Sequence, residues 1–301
     1  MKAFLAELKQ TDAGNVMLGR SLSEYTTWKI GGPADVLIIP QTKDQLISVV
    51  KLLHKHEMQW MNLGRGSNML VSDKGIRGVV IQPGDEFDCA RFDGTLVTAG
   101  AAFSLIKLSV LSGREGLTGL EFAGGIPGSV GGAVYMNAGA LGSDVSRIFK
   151  SADIVLETGE LVSYGIEEMG FSYRHSILHE RPGIVVSVTL ELEQGDRKSI
   201  LATMAANKER RLLTQPLQMA SAGSVFRNPP KDFAARLIQE AGLKGMRHGG
   251  AEVSTQHANF IVNTGQATAE DVLTLMATIR STIKEQFGVE LVPEVLVVGE
   301  R

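Results

Sequence analysis

The sequence predicts an α+β protein built in three blocks. The first alternates strands with a capped amphipathic helix. The second is rich in strands and holds the clearest one, the β-branched run Gly183–Leu192. The third closes on a long helix and a last apolar strand. With 301 residues, length predicts about two domains and a substantial core.

In the first block, Ala34–Pro40 is a dense apolar run ended by proline and predicts a buried strand. Thr42-Lys43-Asp44-Gln45 is a capping-box start for a helix reaching about His54, with Leu46, Val49, Val50 and Leu53 on one face. Trp60–Leu63 is a short strand running into Gly64-Arg65-Gly66-Ser67-Asn68, and a strand at Gly78–Gln82 follows. In the second block, a strand at Leu96–Gly100 precedes a helix at Phe103–Leu111 and then a glycine loop. Asp153–Glu157 and Leu161–Tyr164 flank Thr158-Gly159, a hairpin signal. The third block begins near Gly195-Asp196 with a capped, partly basic helix that runs to Leu213 and is ended by Pro216. A helix over Asp232–Ala241, strands at Glu252–Ser254 and Phe260–Asn263, and a long helix opened by Thr268 come next. Val272, Met276, Ile279 and Ile283 form that helix's core-facing stripe. The final strand, Leu291–Val298, is interrupted by Pro293. No repeat or low-complexity tract occurs.

Composition narrows the function classes. A net charge of −3 gives no support for a nucleic-acid or membrane role, so an anionic ligand needs a local basic patch. Cys89 is the sole cysteine, which excludes an internal disulfide, a CxxC pair and a cysteine-based cluster. The six histidines lack metal-site spacing, and His54 and His56 read as solvated. The N-terminus is charged too early for a signal peptide and no apolar run approaches membrane length, so a soluble, cytoplasmic protein is expected.

Five glycines fall within Gly124–Gly132, in a stretch running to Ala133, and Asn137-Ala138-Gly139 follows. Such a stretch lets backbone approach a ligand closely, and its exposed amides suit phosphate oxygens. It lacks the Lys-Ser/Thr of a P-loop and does not spell G-x-G-x-x-G. Gly64–Asn68 follows a strand, where ligand loops sit in α/β sheets, though a simple turn reads equally well. Two such loops, one per block, could clamp a dinucleotide-sized cofactor. Glycine is about 11% of the chain (34 of 301) against about 7% on average, and much of the excess lies at these loops and near 242–250.

Ser221-Ala222-Gly223-Ser224-Val225-Phe226-Arg227-Asn228-Pro229 can present a hydroxyl and two polar arms to one pocket, or can be an ordinary serine-rich turn. Lys208, Arg210, Arg211, Lys231 and Arg236 form the strongest positive concentration, either a solvated face or an anchor for diphosphate or carboxylate. Phe171–Ser176 carries Arg174 between aromatic and hydroxyl residues. Glu294 stands inside an apolar run, facing solvent or partly desolvated with a raised pKa.

Together these segments resemble the UDP-N-acetylenolpyruvoylglucosamine reductase family. The resemblance runs from Thr27-Trp28-Lys29-Ile30-Gly31-Gly32-Pro33-Ala34-Asp35 to Pro293-Glu294-Val295, nearly the whole chain. Its most specific parts are residues 64–68, 125–133, 173–174 and 221–229. The space between Arg174 and Gly183 leaves little room for the extra tyrosine-bearing loop of one branch, so the chain resembles the shorter type. Arg227 stands where many relatives are expected to carry lysine. The resemblance implies an FAD-binding fold of the vanillyl-alcohol-oxidase (PCMH) type in two lobes, 1–82 and 83–195, and an α/β substrate-binding domain over 196–301. It implies non-covalent FAD, NADPH as electron donor, and an enolpyruvyl ether of UDP-N-acetylglucosamine as substrate, in peptidoglycan synthesis. No metal, nucleic acid, membrane insertion or obligate protein partner is implied.

The expected flavin contacts are Gly64, Arg65, Gly66, Ser67, Asn68, Gly125, Gly128, Ser129, Gly131, Gly132, Asn137 and Gly139. Expected substrate contacts are Arg210, Arg211, Arg227 and Asn228. By resemblance, hydride passes from flavin N5 to the enolpyruvyl C3, and charge developing at C2 spreads into the carboxylate. Arg174 and Glu294 would stabilise it, Glu294 best when protonated, and Ser224 would protonate C2. The competing classes are an oxidase of the same flavin fold, often flavin-tethered through His or Cys, and a non-catalytic nucleotide-sugar binder. Neither glycine loop contains a His or Cys.

Overall fold

The β-branched run at Gly183–Glu191 is the central strand of a five-stranded antiparallel sheet. Its neighbours in order are Leu161–Gly165, Phe149–Leu156, then Gly183–Glu191 itself, Leu96–Gly100 and Ala90–Asp93. Within it a register shift separates the pairs Asp153↔Ser187 and Ile154↔Val185, so Val186 is the extra residue of a bulge. One residue of slip changes the face that alternate side chains occupy. Accordingly Ile184 and Val186 pack in one core and Val188 and Leu190 in another. A single strand thereby serves two cores.

The computed structural model describes residues 1–300 and divides into two compact units. The first comprises Met1–Leu18, Val36–Arg65 and Gly78–Glu209; the second comprises Gly19–Asp35, Gly66–Arg77 and the chain from Arg210 onward. This partition differs from the three consecutive segments expected from sequence. Its divisions fall inside the strands Asn15–Ser21, Pro33–Ile39 and Ile76–Ile81, in the Gly64–Asn68 loop and in the helix Arg197–Thr214.

In the first unit, one core gathers Phe4, Val36, Ile38, Leu46, Val49, Val50, Leu53, Val79 and Ile81. The helix Lys43–Lys55 supplies the expected stripe, started by Thr42, whose hydroxyl accepts from Gln45 N at 3.2 Å. The box does not close reciprocally, because Gln45 Oε1 takes the Gln41 amide at 2.7 Å instead. His56, expected in solvent, is mostly buried and pairs with Glu7 at 2.9 Å. The second core lies beneath the five-stranded sheet with the helix Leu105–Arg114. The glycine stretch is not one loop. Glu121–Gly125 is a 3₁₀ turn, and Val130–Tyr135 is a helix begun by Ser129, whose hydroxyl accepts from Gly132 N at 3.3 Å. Val130, Ala133 and Val134 give that short helix its buried face.

In the second unit, Trp28 is fully buried and its indole N–H donates to Ile261 O at 2.9 Å. A small antiparallel sheet, Arg247–His248, Ala251–Val253 and Ile261–Asn263, packs with the helix Ala269–Phe287. Thr268 caps that helix, and the Asp73 carboxylate also accepts from Ala269 N at 2.8 Å and Glu270 N at 3.1 Å. The expected strand Leu291–Val298 shortens to Leu296–Val298, which pairs in parallel with Met69–Val71. Pro293 has no amide to donate to a ladder. It forms instead an isolated bridge with Phe226.

Candidate active site

The two glycine segments meet in the first unit. A Cβ built on Gly64 would lie 2.7 Å from Ser129 Oγ. Beside this contact opens a cleft of about 300 Å³, walled by Gly64, Arg65, Ser129, Gly131 and Gly132 together with Gln82, Ala101 and Ala102. Gln82 Nε2 donates to Gly64 O at 2.9 Å and pins the loop. Among the described residues, no backbone acceptor takes the amides of Gly64, Arg65 or Ser129. Small residues leave the floor open, and amides such as these are the donors that a diphosphate needs. These walls fit FAD. Gly131 has a different reason to be glycine: its amide already bonds Ala101 O at 2.9 Å, and a Cβ would meet Ala101 Cβ at 2.8 Å. Gln82, Ala101 and Ala102 were not anticipated, although the last two directly follow a predicted strand.

Of the expected flavin residues, Gly125, Gly128, Asn137 and Gly139 do not wall this cleft. Asn137 is buried and its side chain is used inside the protein: Nδ2 donates to Ser172 O at 3.0 Å, and Oδ1 accepts from Ser146 N at 3.0 Å. Ser172 and His175 then close a tight turn by two backbone bonds, of 3.1 and 3.2 Å. Tyr173 and Arg174 form its tip. Arg174 adopts φ 56°, stacks its guanidinium over the Tyr173 ring at 4.8 Å, and donates from Nη2 to Gly139 O at 2.8 Å. Asn137 and Gly139 thus serve the arginine's turn.

The rest of the loop belongs to the second unit. Gly66 is buried at φ 60°, where a Cβ would strike Tyr25 O at 2.3 Å, and its carbonyl accepts from Thr27 N. Asn68 Nδ2 donates to Glu294 O at 3.1 Å, so this side chain holds the carboxylate's backbone. Ser67 lies next to it and is partly buried. Glu294 N in turn donates to Val225 O at 2.8 Å, and Arg227 N to Val292 O at 2.9 Å. Ser224 and Glu294 therefore stand on two backbone segments tied to each other. Arg174 belongs to the first unit.

The expected phosphate contacts are unequal. Arg210 is exposed, while Arg211 is partly buried, donates from Nε to Gln215 Oε1 at 2.9 Å, and has its pKa lowered by burial. Asn228 is exposed, and its Oδ1 accepts from Ala234 N at 3.1 Å. Arg236 is neutralised by Asp232 and Glu240, and its guanidinium holds Asp232 down to about 2. The positive patch is thus smaller than the sequence suggests. Among the described residues no group of three or more His, Cys, Asp or Glu could hold a metal. Among the described residues no helix is long and apolar enough to cross a membrane.

Residues 34–165, which include the glycine-walled cleft, match the FAD binding domain family, so the fold is a flavin-binding one. A variant of berberine bridge enzyme, a reticuline dehydrogenase, shares that fold alone, with a TM-score of 0.50 and 12% identity over 64% of this chain and 44% of its own. Residues 215–298 match the C-terminal domain of UDP-N-acetylenolpyruvoylglucosamine reductase. The reductase of that name from Bacillus licheniformis is 51% identical over 100% of both chains. The crystal structure of the reductase from Thermus caldophilus is 39% identical, with a TM-score of 0.81 over 94% of this chain and 98% of that one. The chain belongs to the UDP-N-acetylenolpyruvoylglucosamine reductase family.

Proposed function

We propose that this protein reduces the enolpyruvyl ether of UDP-N-acetylglucosamine to UDP-N-acetylmuramate for peptidoglycan synthesis, with FAD as cofactor and NADPH as donor. The observation that carries the reading is the bond from Glu294 N to Val225 O, which sets the Ser224 hydroxyl and the Glu294 carboxyl on adjoining backbone. When bound, FAD supplies the hydride that adds to the enolpyruvyl C3. Electron density then builds at C2 and flows into the substrate carboxylate. Arg174, held at its turn tip, and Glu294 stabilise that carboxylate. Ser224 donates its hydroxyl proton to C2. Serine is a weak acid, and it suffices here because the carbanion it meets is a strong base.

The amides around Gly64 and Ser129 hold the flavin diphosphate, with Arg65, Gly66, Gly131 and Gly132 close to it. Arg210, Arg211, Arg227 and Asn228 are the substrate's phosphate and sugar contacts. Such an enzyme works in the cytoplasm on a small nucleotide sugar and needs no obligate protein partner.

Two measurements test this. The purified protein should be yellow and should consume NADPH only with the enolpyruvyl nucleotide present. A colourless protein would indicate a binder, and activity with oxygen and an alcohol would indicate an oxidase. In rapid mixing, Ser224→Ala should keep bound FAD and its reduction by NADPH, while the substrate step slows by roughly 10²–10⁴-fold. Loss of flavin reduction with a normal second step would remove Ser224 from its role.

A further inference from the structure

Ser224 needs an aimed hydroxyl, yet the chain before it is permissive. Gly223 sits at φ 76° with open space where a side chain would be. Orientation must therefore come from the residues that follow. Val225 N donates to Asn259 O at 2.8 Å. Phe226, 1% exposed, donates from its amide to Asn259 Oδ1 at 3.0 Å and accepts at its carbonyl from Asn259 Nδ2 at 2.8 Å. One carboxamide thus satisfies both backbone groups of Phe226, as a neighbouring strand would. Asn259 is itself 4% exposed, so water cannot substitute. Opposite this clamp, Val225 O and Arg227 N bind Glu294 N and Val292 O.

We propose that Asn259 is a positioning residue for proton delivery: by gripping Val225 and Phe226 it fixes where the Ser224 hydroxyl points relative to Glu294. This rests on the reading of Ser224 as proton donor. Asparagine suits the position because it offers one donor and one acceptor at the spacing of a peptide group. Aspartate keeps the acceptor and turns an oxygen towards the Phe226 carbonyl; alanine removes both partners.

The test uses the FAD-loaded enzyme with Asn259→Asp and Asn259→Ala, each alone and combined with Ser224→Ala. In Asn259→Asp, FAD content and flavin reduction by NADPH should stay within about twofold, while the substrate step slows by about 10- to 100-fold through misplacement of the donor. The solvent deuterium isotope effect on that step should rise, since proton transfer becomes slower. On the Ser224→Ala background, Asn259→Asp should add less than about twofold, because the group it aims is gone. A full multiplicative effect in the double variant, or equal slowing of both half-reactions, overturns the proposal. A fast substrate step in Ser224→Ala alone instead overturns the proton-donor reading, whatever Asn259 does. Should Asn259→Ala fail to fold, Asn259→Asp decides the matter alone.

Discussion

Asn137 shows how a side chain's work can lie far from where its sequence suggests. Its carboxamide is buried and ties Ser172 O to Ser146 N, so removing it takes one hydrogen bond from each, leaving Ser172 O with His175 N and Ser146 N with Asp144 Oδ1. Each such bond contributes about 0.5–1.5 kcal/mol. Asn137→Ala should therefore lower the denaturant midpoint with an unchanged slope, measured by tryptophan fluorescence, and should weaken substrate turnover more than FAD retention. In the sequence this residue reads as part of a cofactor loop, because Asn137-Ala138-Gly139 follows a glycine run. Its partner Ser172 lies 35 positions on, and no local pattern connects the two. Asn68 is similar, since its hold on Glu294 spans 226 positions. The family's motifs single out Ser224 and Glu294, whereas nothing in the sequence singles out Asn259.

Elements whose causes are local were legible. Thr42 and Thr268 each cap a helix by accepting from an amide three residues on, and both helices begin there. The glycine stretch misled because composition favours a loop, while Ser129 and the buried face of Val130, Ala133 and Val134 wind its end into a helix. That helix packs closely against Ala101, so Gly131→Ala should force a shift costing about 1–3 kcal/mol. The displaced wall should release FAD more readily, seen as recovered flavin fluorescence at lower dilution. At the helix Ala269–Phe287, Asp271 accepts from Thr268 N at 3.0 Å and Gly250 N at 3.1 Å, and these amides hold its carboxyl below the ordinary 3.8. A lowered folded value means stability that is full above the ordinary value and lost as pH falls through the lower one. The stability advantage over Asp271→Asn should thus be present at neutral pH and shrink below about pH 4, as read from denaturation midpoints at both pH values.

For the whole molecule, the sequence suggested consecutive blocks, whereas the compact units interleave. Periodicity reports which residues are buried, not which partner buries them. Trp28, Ile30 and Leu70 belong to the core made chiefly by residues beyond Ala222. A fragment beginning at Arg210 lacks all three, and it also lacks Asp73 at the start of the Ala269–Phe287 helix. Such a fragment should show no cooperative thermal transition by circular dichroism, although residues 215–298 alone match one family domain.

The parallel pairing of Leu296–Val298 with Met69–Val71 also sets a timetable for synthesis. A nascent chain displays Leu70 well before the strand that pairs beside it, and Trp28 well before Ile261 and the other later residues of their shared core. Both side chains should stay open to chaperones until those later residues emerge.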